Sequence, residues 1–159
     1  MAVAARPKDD ADRPWIEALL RDHWSGEMQV GHGERFYPAD HEGFLAFDGS
    51  GLIGVITYRV DADDCEVTLL HSLRPGRGVG SMLLHLTAQA ARDTGCRRIW
   101  LITTNDNRDA LAWYERRGFR VEAVHEGAMD SSRQMKPSIP LVGHDGTPIR
   151  DEIELAMEL

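Results

Sequence analysis

The sequence predicts a single α/β domain over residues 1–159, with a mixed central sheet in which an antiparallel meander precedes a parallel strand–helix–strand unit, and with helices flanking the sheet. Three observations carry this. The segments GFLAF, LIGVITYRV and CEVTLLHSL are apolar and β-branched, and DGSG and DADD turns separate them, as in consecutive antiparallel strands. The stretch Arg74-Pro75-Gly76-Arg77-Gly78-Val79-Gly80-Ser81 then sets three glycines on alternate positions directly before a run of apolar residues at helical spacing. Beyond that run, RRIWLITT has a nearly continuous apolar centre, which suits a strand covered on both faces.

The remaining elements follow from the same periodicities. Between Asp12 and Trp24, the residues Trp15, Ile16, Leu19 and Leu20 fall on one helical face, with Asp12 as the cap and Pro14 near the first turn. Gly31 to Gly43 mixes glycine, charge and aromatics without a period, and reads as a loop or short helix. After the glycines, Val79, Met82, Leu83, Leu86 and Ala90 share a helical face that Gly95 ends. A second helix runs from Asn107 to Arg117 through Ala110, Leu111 and Tyr114, is closed by Gly118, and is followed by an extended segment from Phe119 to His125. Residues Lys136 to Pro148 form a proline- and glycine-rich excursion. The final EIELAMEL alternates, with Ile153, Leu155, Met157 and Leu159 on one face, so it reads as a closing strand despite its helix-forming composition.

With 159 residues, 42% of them hydrophobic, the chain is sized for one compact core. Its 18 basic and 26 acidic residues leave a net charge of −8, which disfavours a broad nucleic-acid or anionic-membrane surface and confines any phosphate site to a local pocket. Cys65 and Cys96 lie far apart without CxxC spacing, and no N-terminal apolar stretch resembles a signal or membrane span, so a reducing cytoplasm is the expected setting. The seven histidines show neither HxxxH nor HxH spacing, so no metal is expected.

Phosphate-binding patterns differ in spacing. The nucleotide-triphosphate loop needs a lysine after its glycines, and none follows here. The dinucleotide fingerprint needs GxGxxG and an acidic residue at the end of the next strand, where this chain has GxGxG and Thr103-Thr104. Two readings remain: either the backbone N–H groups of Arg77 to Ser81 hold a pyrophosphate with help from the helix dipole and the Arg77 charge, or the segment is a glycine-rich turn with no ligand.

At these residues the chain resembles the GNAT superfamily of acyl-CoA-dependent N-acyltransferases. The family signature [QR]xxGx[GA] is matched at Gly78 and Gly80, and the segment Asn107 to Phe119, NRDALAWYERRGF, is similar to the family's NxxAxxxYxxxGF. The element order is also that of the family. The CEVTLLHSL segment, the TTNDN turn and the KPSIP…DEIEL tail resemble one bacterial subgroup. One departure stands out: Pro75 occupies the position usually held by Gln or Arg, with Arg74 one place early, and proline has no N–H for a phosphate.

The resemblance implies an acetyl-CoA-dependent transfer of an acetyl group to a primary amine of a small molecule or peptide, by direct attack in a ternary complex. It implies Glu66 as general base and Tyr114 as the acid that protonates the leaving thiolate. Arg77, Gly78, Val79, Gly80 and Ser81 would bind the pyrophosphate, Ser72 and Leu73 would pair with the pantetheine, and Asn107 would also touch CoA. His71 is the rival base, although strand parity turns it away from Glu66 unless a bulge intervenes. Trp24 is a candidate lining residue of the acceptor pocket, and Arg133 and Lys136 a candidate pair for an acceptor carboxylate. Relatives often pair through C-terminal strands, so a homodimer is expected as one option. The alternatives are a catalytically silent CoA-binding sensor and a protein that uses the glycine loop for another nucleotide.

Overall fold

A computed structural model of the chain describes residues 2–159. Its strands are β1 (Ala4–Pro7), β2 (Gln29–Gly31), β3 (Glu34–Phe36), β4 (Glu42–Asp48), β5 (Gly51–Asp61), β6 (Asp64–Ser72), β7 (Arg98–Thr104), β8 (Arg120–His125) and β9 (Glu152–Glu158). Its helices are α1 (Arg13–His23), α2 (Val79–Asp93), α3 (Arg108–Glu115) and α4 (Ala128–Met135). The fold is the expected α/β class: a mixed sheet of 7 strands in the order β1-β4-β5-β6-β7-β9-β8, with a separate β2–β3 hairpin and helices between the strands. Backbone contacts group the chain into two compact units, one with the residues up to Glu27, Tyr37–Ile99 and Leu159, the other with Met28–Phe36 and Trp100–Glu158.

In the first unit, β4, β5 and β6 form the antiparallel meander, and β1, too short to show a period in the sequence, pairs with β4 from Ala4↔Phe47 to Pro7↔Phe44. The amphipathic face of α1 buries Ile16, Leu19 and Leu20 in one cluster with Leu45, Val55 and Leu69. Its entry is fixed by polar contacts. Asp9 caps a short 3-10 turn at Asp10–Asp12, and Arg6 grips the buried Asp12 carboxylate with two bonds of 2.7 and 2.8 Å. On α2, Val79 and Leu83 are fully enclosed. Both cysteines are buried free thiols, and burial pushes the Cys65 thiol up to about 12.

The second unit departs most from the sequence reading. Where Gly31 to Gly43 read as a loop or short helix, the chain makes the β2–β3 hairpin and, within the first unit, a 3-10 turn at Pro38–Asp40. Strands of three residues are too short to show a two-residue period, and the tight turn at His32 and Gly33 takes positive φ values of 51° and 73°. Helix α4 also went unread, because AMDSSRQM offers only one buried apolar residue, Met129. The closing strand β9 pairs antiparallel with β8 from Arg120↔Ala156 to His125↔Glu152. Since β9 has neighbours on both sides, β8 rather than the last strand forms that edge of the sheet. The excursion before β9 is ordered by its own polar contacts: Asn105 donates to the Pro148 carbonyl at 2.9 Å and accepts from the Arg150 and Asp151 N–H groups at 2.9 and 3.0 Å.

The Arg6–Asp12 pair generates a pH prediction. The hydrogen bonds from Arg6 outweigh desolvation and hold the Asp12 carboxyl below its ordinary value. A depressed carboxyl stabilises the fold above its unfolded pKa and loses that contribution as the pH falls through the folded one. Asp12→Asn should therefore cost about 1–3 kcal/mol near neutrality, and the difference from the parent should shrink in urea titrations repeated from pH 5 down to about pH 2.

Candidate active site

The glycine-rich loop of the first unit is built around backbone conformation. Gly76 and Gly78 have φ values of 79° and 74°, in the left-handed region that favours glycine, and Gly78 is the N-cap of α2. Gly78 has no side chain to cap the helix, and no heavy atom lies within 4 Å of where a Cβ would stand at either glycine. The first-turn N–H groups thus head a helix whose start is open to a ligand that accepts hydrogen bonds. Arg77 extends from this loop to Asp48 at 2.9 Å. The Ser50 hydroxyl and N–H, then Arg77, bring the Asp48 carboxyl down to about 2. The neighbouring Ser72 hydroxyl accepts from the Arg74 N–H at 3.1 Å, the Leu73 N–H donates to the Ile53 carbonyl at 2.8 Å, and the Leu73 carbonyl accepts from the Arg74 guanidinium at 3.0 Å, with one lone pair left for a further donor.

Strand β6 carries Glu66 and His71, and its register decides how they point. Thr57 pairs with Leu69 but Tyr58 with Val67, so Thr68 is an extra residue in β6. That bulge cancels the parity difference: Arg59↔Glu66, Thr57↔Leu69 and Val55↔His71 all face the same side of the strand pair. Glu66 is 7% exposed and flanked in sequence by the buried Cys65 and Val67, yet its Oε1 accepts from Arg59 Nε at 2.7 Å. The bulged Thr68 hydroxyl is satisfied by His41 Nδ1 at 2.9 Å and by the Thr57 hydroxyl at 2.8 Å.

His71 has a defined role on the same face. The Trp24 indole N–H donates to His71 Nδ1 at 3.1 Å, and the His23 ring lies 4.7 Å from the His71 ring. An indole nitrogen only donates, so neutral His71 carries its proton on Nε2. Burial, and then the proximity of His23, lowers its pKa and keeps it neutral. Trp24 also packs partly buried against the α1 cluster.

In the second unit, Asn107 caps α3, its side chain accepting the Ala110 N–H at 3.3 Å. Tyr114 is buried, edge-on to Trp113 and Phe119 with ring centroids 4.9 and 5.3 Å away. Burial raises its phenol pKa well above the ordinary value, the nearby Arg117 charge opposing weakly, so the hydroxyl stays protonated across the neutral range. The Arg117 guanidinium lies 3.6 Å from the Trp113 ring centroid. Of the basic pair considered for an acceptor carboxylate, Arg133 donates to the Pro140 and Ile149 carbonyls and so ties down its own loop. Lys136 is buried and donates to Gln29 at 3.1 Å. The sequence reading missed a group formed by His32, His125 and Glu152, whose positions lie too far apart for any spacing to suggest them.

The chain is similar to known proteins in sequence and in fold. Residues 8–119 match the family described as Acetyltransferase (GNAT) family. The uncharacterized protein YdhI of Bacillus subtilis (strain 168) is 39% identical over 149 residues, covering 92% of each chain. Streptothricin acetyltransferase of Streptomyces lavendulae is 32% identical over 143 residues, covering 82% of this chain and 72% of that protein. In fold, the chain is similar to IAA acetyltransferase from Bacillus cereus ATCC 14579, with a TM-score of 0.75 at 22% identity over 99% of this chain and 100% of that one. It is also similar to a GNAT family acetyltransferase from Elizabethkingia anophelis with acetyl-CoA bound, with a TM-score of 0.70 at 17% identity over 99% and 98%. Among the described residues no helix is long and apolar enough to cross a membrane. The match over residues 8–119, a range that includes the glycine loop and the α3 segment, places this chain in the GNAT acetyltransferase family.

Proposed function

We propose that the protein transfers an acetyl group from acetyl-CoA to a primary amine of a small molecule or peptide, by direct attack in a ternary complex. The observation that carries this reading is the start of α2, where two left-handed glycines deliver the chain into a helix that no side chain of Gly78 caps. Backbone N–H groups and the positive end of the helix dipole suit a diphosphate. In this reading Gly78, Val79, Gly80 and Ser81 offer amides to it and Arg77 its charge, in competition with Asp48. Pro75 offers no N–H, which shifts the burden onto residues 77–81. Ser72 and the Leu73 carbonyl align the pantetheine, and Asn107 contacts the coenzyme besides capping α3.

The chemistry requires a neutral amine. A lysine-like amine at pH 7 is neutral in only about one molecule in 10³, so a base must take its proton. Glu66 fills that role directly or through a water, with Arg59 fixing the orientation of its carboxylate at Oε1. His71 suits it less well, because its Nδ1 already accepts the Trp24 N–H and its Nε2 carries the proton, which makes it a donor toward whatever lies on that face. The amine nitrogen bonds to the acyl carbon, the carbonyl becomes an oxyanion, and collapse breaks the carbon–sulfur bond. Tyr114 gives its proton to the departing sulfur. Its raised pKa keeps the proton in place until negative charge develops there.

Free-thiol release from acetyl-CoA should appear over a panel of amino acids, polyamines, aminoglycosides, peptide N-termini and, given the relative's name, streptothricin. Calorimetric CoA binding without thiol release from any acceptor would instead establish a silent binding module, and stabilisation by ATP or NAD alone would point to another nucleotide. Tyr114→Phe should lower kcat by about 10²-fold or more while leaving CoA affinity nearly unchanged. An unchanged kcat removes the acid role. Glu66→Gln should flatten the acidic limb of the rate profile, and a limb that persists assigns the base elsewhere.

A further inference from the structure

Strands β8 and β9 set Glu152 opposite His125 and Glu154 opposite Ala123, so the two carboxylates stand on one face, two residues apart. The turn of the β2–β3 hairpin brings His32 to the same place. Its main-chain N–H donates to Glu152 Oε1 at 2.9 Å, its ring lies 5.2 Å from the His125 ring, and the Trp100 ring lies 5.0 Å away on the same cluster. One oxygen of Glu154 faces His32 Nε2 at 3.0 Å and His125 Nε2 at 3.7 Å. His32, His125 and Glu152 each offer a ligand atom, and these atoms all lie within 4.8 Å of one another.

This convergence is costly unless something compensates it. Glu152 is 5% exposed, and the Glu154 side chain is 14% exposed. Two enclosed carboxylates on one face of the sheet repel one another. A divalent cation would balance both charges. His32 also sits at φ 51°, an uncommon conformation for a side-chain-bearing residue, and the tight turn holds its ring over the sheet face. Both imidazoles remain partly exposed, at 41% and 43% of the side chain, so an ion in solution can reach them.

We propose that His32, His125 and Glu152, with Glu154 beside them, bind one divalent transition-metal cation of the zinc, cobalt or nickel type. Imidazole ligands favour these ions, whereas magnesium and calcium prefer oxygen-only shells. Zinc holds nitrogen and oxygen ligands at about 2.0–2.2 Å, so the ligand atoms must draw closer than they stand, which rotation of the exposed imidazoles permits. Glu154 either completes the shell or accepts an N–H from a bound imidazole, orienting it. The proposal uses none of the residues assigned to the transfer chemistry, such as Glu66 and Tyr114. It therefore stands or falls independently of that reading.

The test uses the full chain after chelator treatment, titrated with Co²⁺ and monitored by its visible ligand-field bands, then with Zn²⁺ to displace the cobalt. One equivalent should bind with the intense bands of four-coordinate cobalt, without the charge-transfer band of a thiolate ligand. Thermal stability should rise with it. His125→Gln and Glu152→Gln should weaken binding by about 100-fold or more, and so should His32→Asn, which preserves the left-handed turn. Circular dichroism of the exposed-site variant His125→Gln guards against a folding defect. Cobalt spectra no different from those of the aquo ion overturn the proposal, as does equal binding by parent and His125→Gln. Stabilisation by spermidine with no response to Co²⁺ or Zn²⁺ overturns it in favour of an organic ammonium as the ligand of these carboxylates.

Discussion

Helix α2 begins where it does because residue 54 carries no side chain. A Cβ on Gly54 would lie 2.7 Å from Val79 Cγ1 and 3.2 Å from the His71 carbonyl oxygen, so the strand, the helix and the neighbouring strand meet at a point with no room for a methyl group. Gly54 pairs with Ser72, the last residue of β6. The end of the strand and the first residue of the helix are thus held against the same backbone position, and only Leu73 to Gly78 separate them. A connection this short turns the chain through left-handed glycines, and that geometry leaves the start of the helix without a side-chain cap. The uncapped start of α2 follows from close packing beneath it.

A second constraint lies one strand over. The extra residue at Thr68 costs a ladder position and buries a hydroxyl, and the His41–Thr68–Thr57 chain of hydrogen bonds offsets that cost. In return, Glu66 and His71 come onto one face. The consequence is a division of labour that neither residue type dictates. Arg59 holds the carboxylate in place, while Trp24 fixes the imidazole as a neutral donor through its Nδ1. Without that extra residue the two groups would lie on opposite sides of the sheet.

Much of the framework was legible in the residues. Long apolar runs with a clear period identified α1, β5, β6, α2 and β7, because burial of a whole face imposes that period. Asn107 and Gly118 marked the ends of α3 through their capping and left-handed conformations. The elements that escaped, β1, the β2–β3 hairpin and α4, are short or polar, and their places are set by long-range partners: β1 by β4, the hairpin by contacts such as His32 to Glu152, and α4 by bonds such as that from the Met129 N–H to the Arg150 carbonyl. Arg133 and Lys136 looked like ligand-binding charges because a sequence does not reveal that a guanidinium has carbonyls of its own loop to satisfy.

By itself the sequence determined the order of the main elements, the glycine loop at the head of α2 and the α3 segment around Tyr114, since local propensity, periodicity and turn chemistry act over a few neighbouring residues. The tertiary structure alone decided which side Glu66 and His71 face, which nitrogen of His71 holds the proton, and that His32, His125 and Glu152 meet. Those outcomes depend on strand register and on contacts between residues distant in the chain, and a bulge of one residue or a hairpin of eight leaves almost no trace in composition or period.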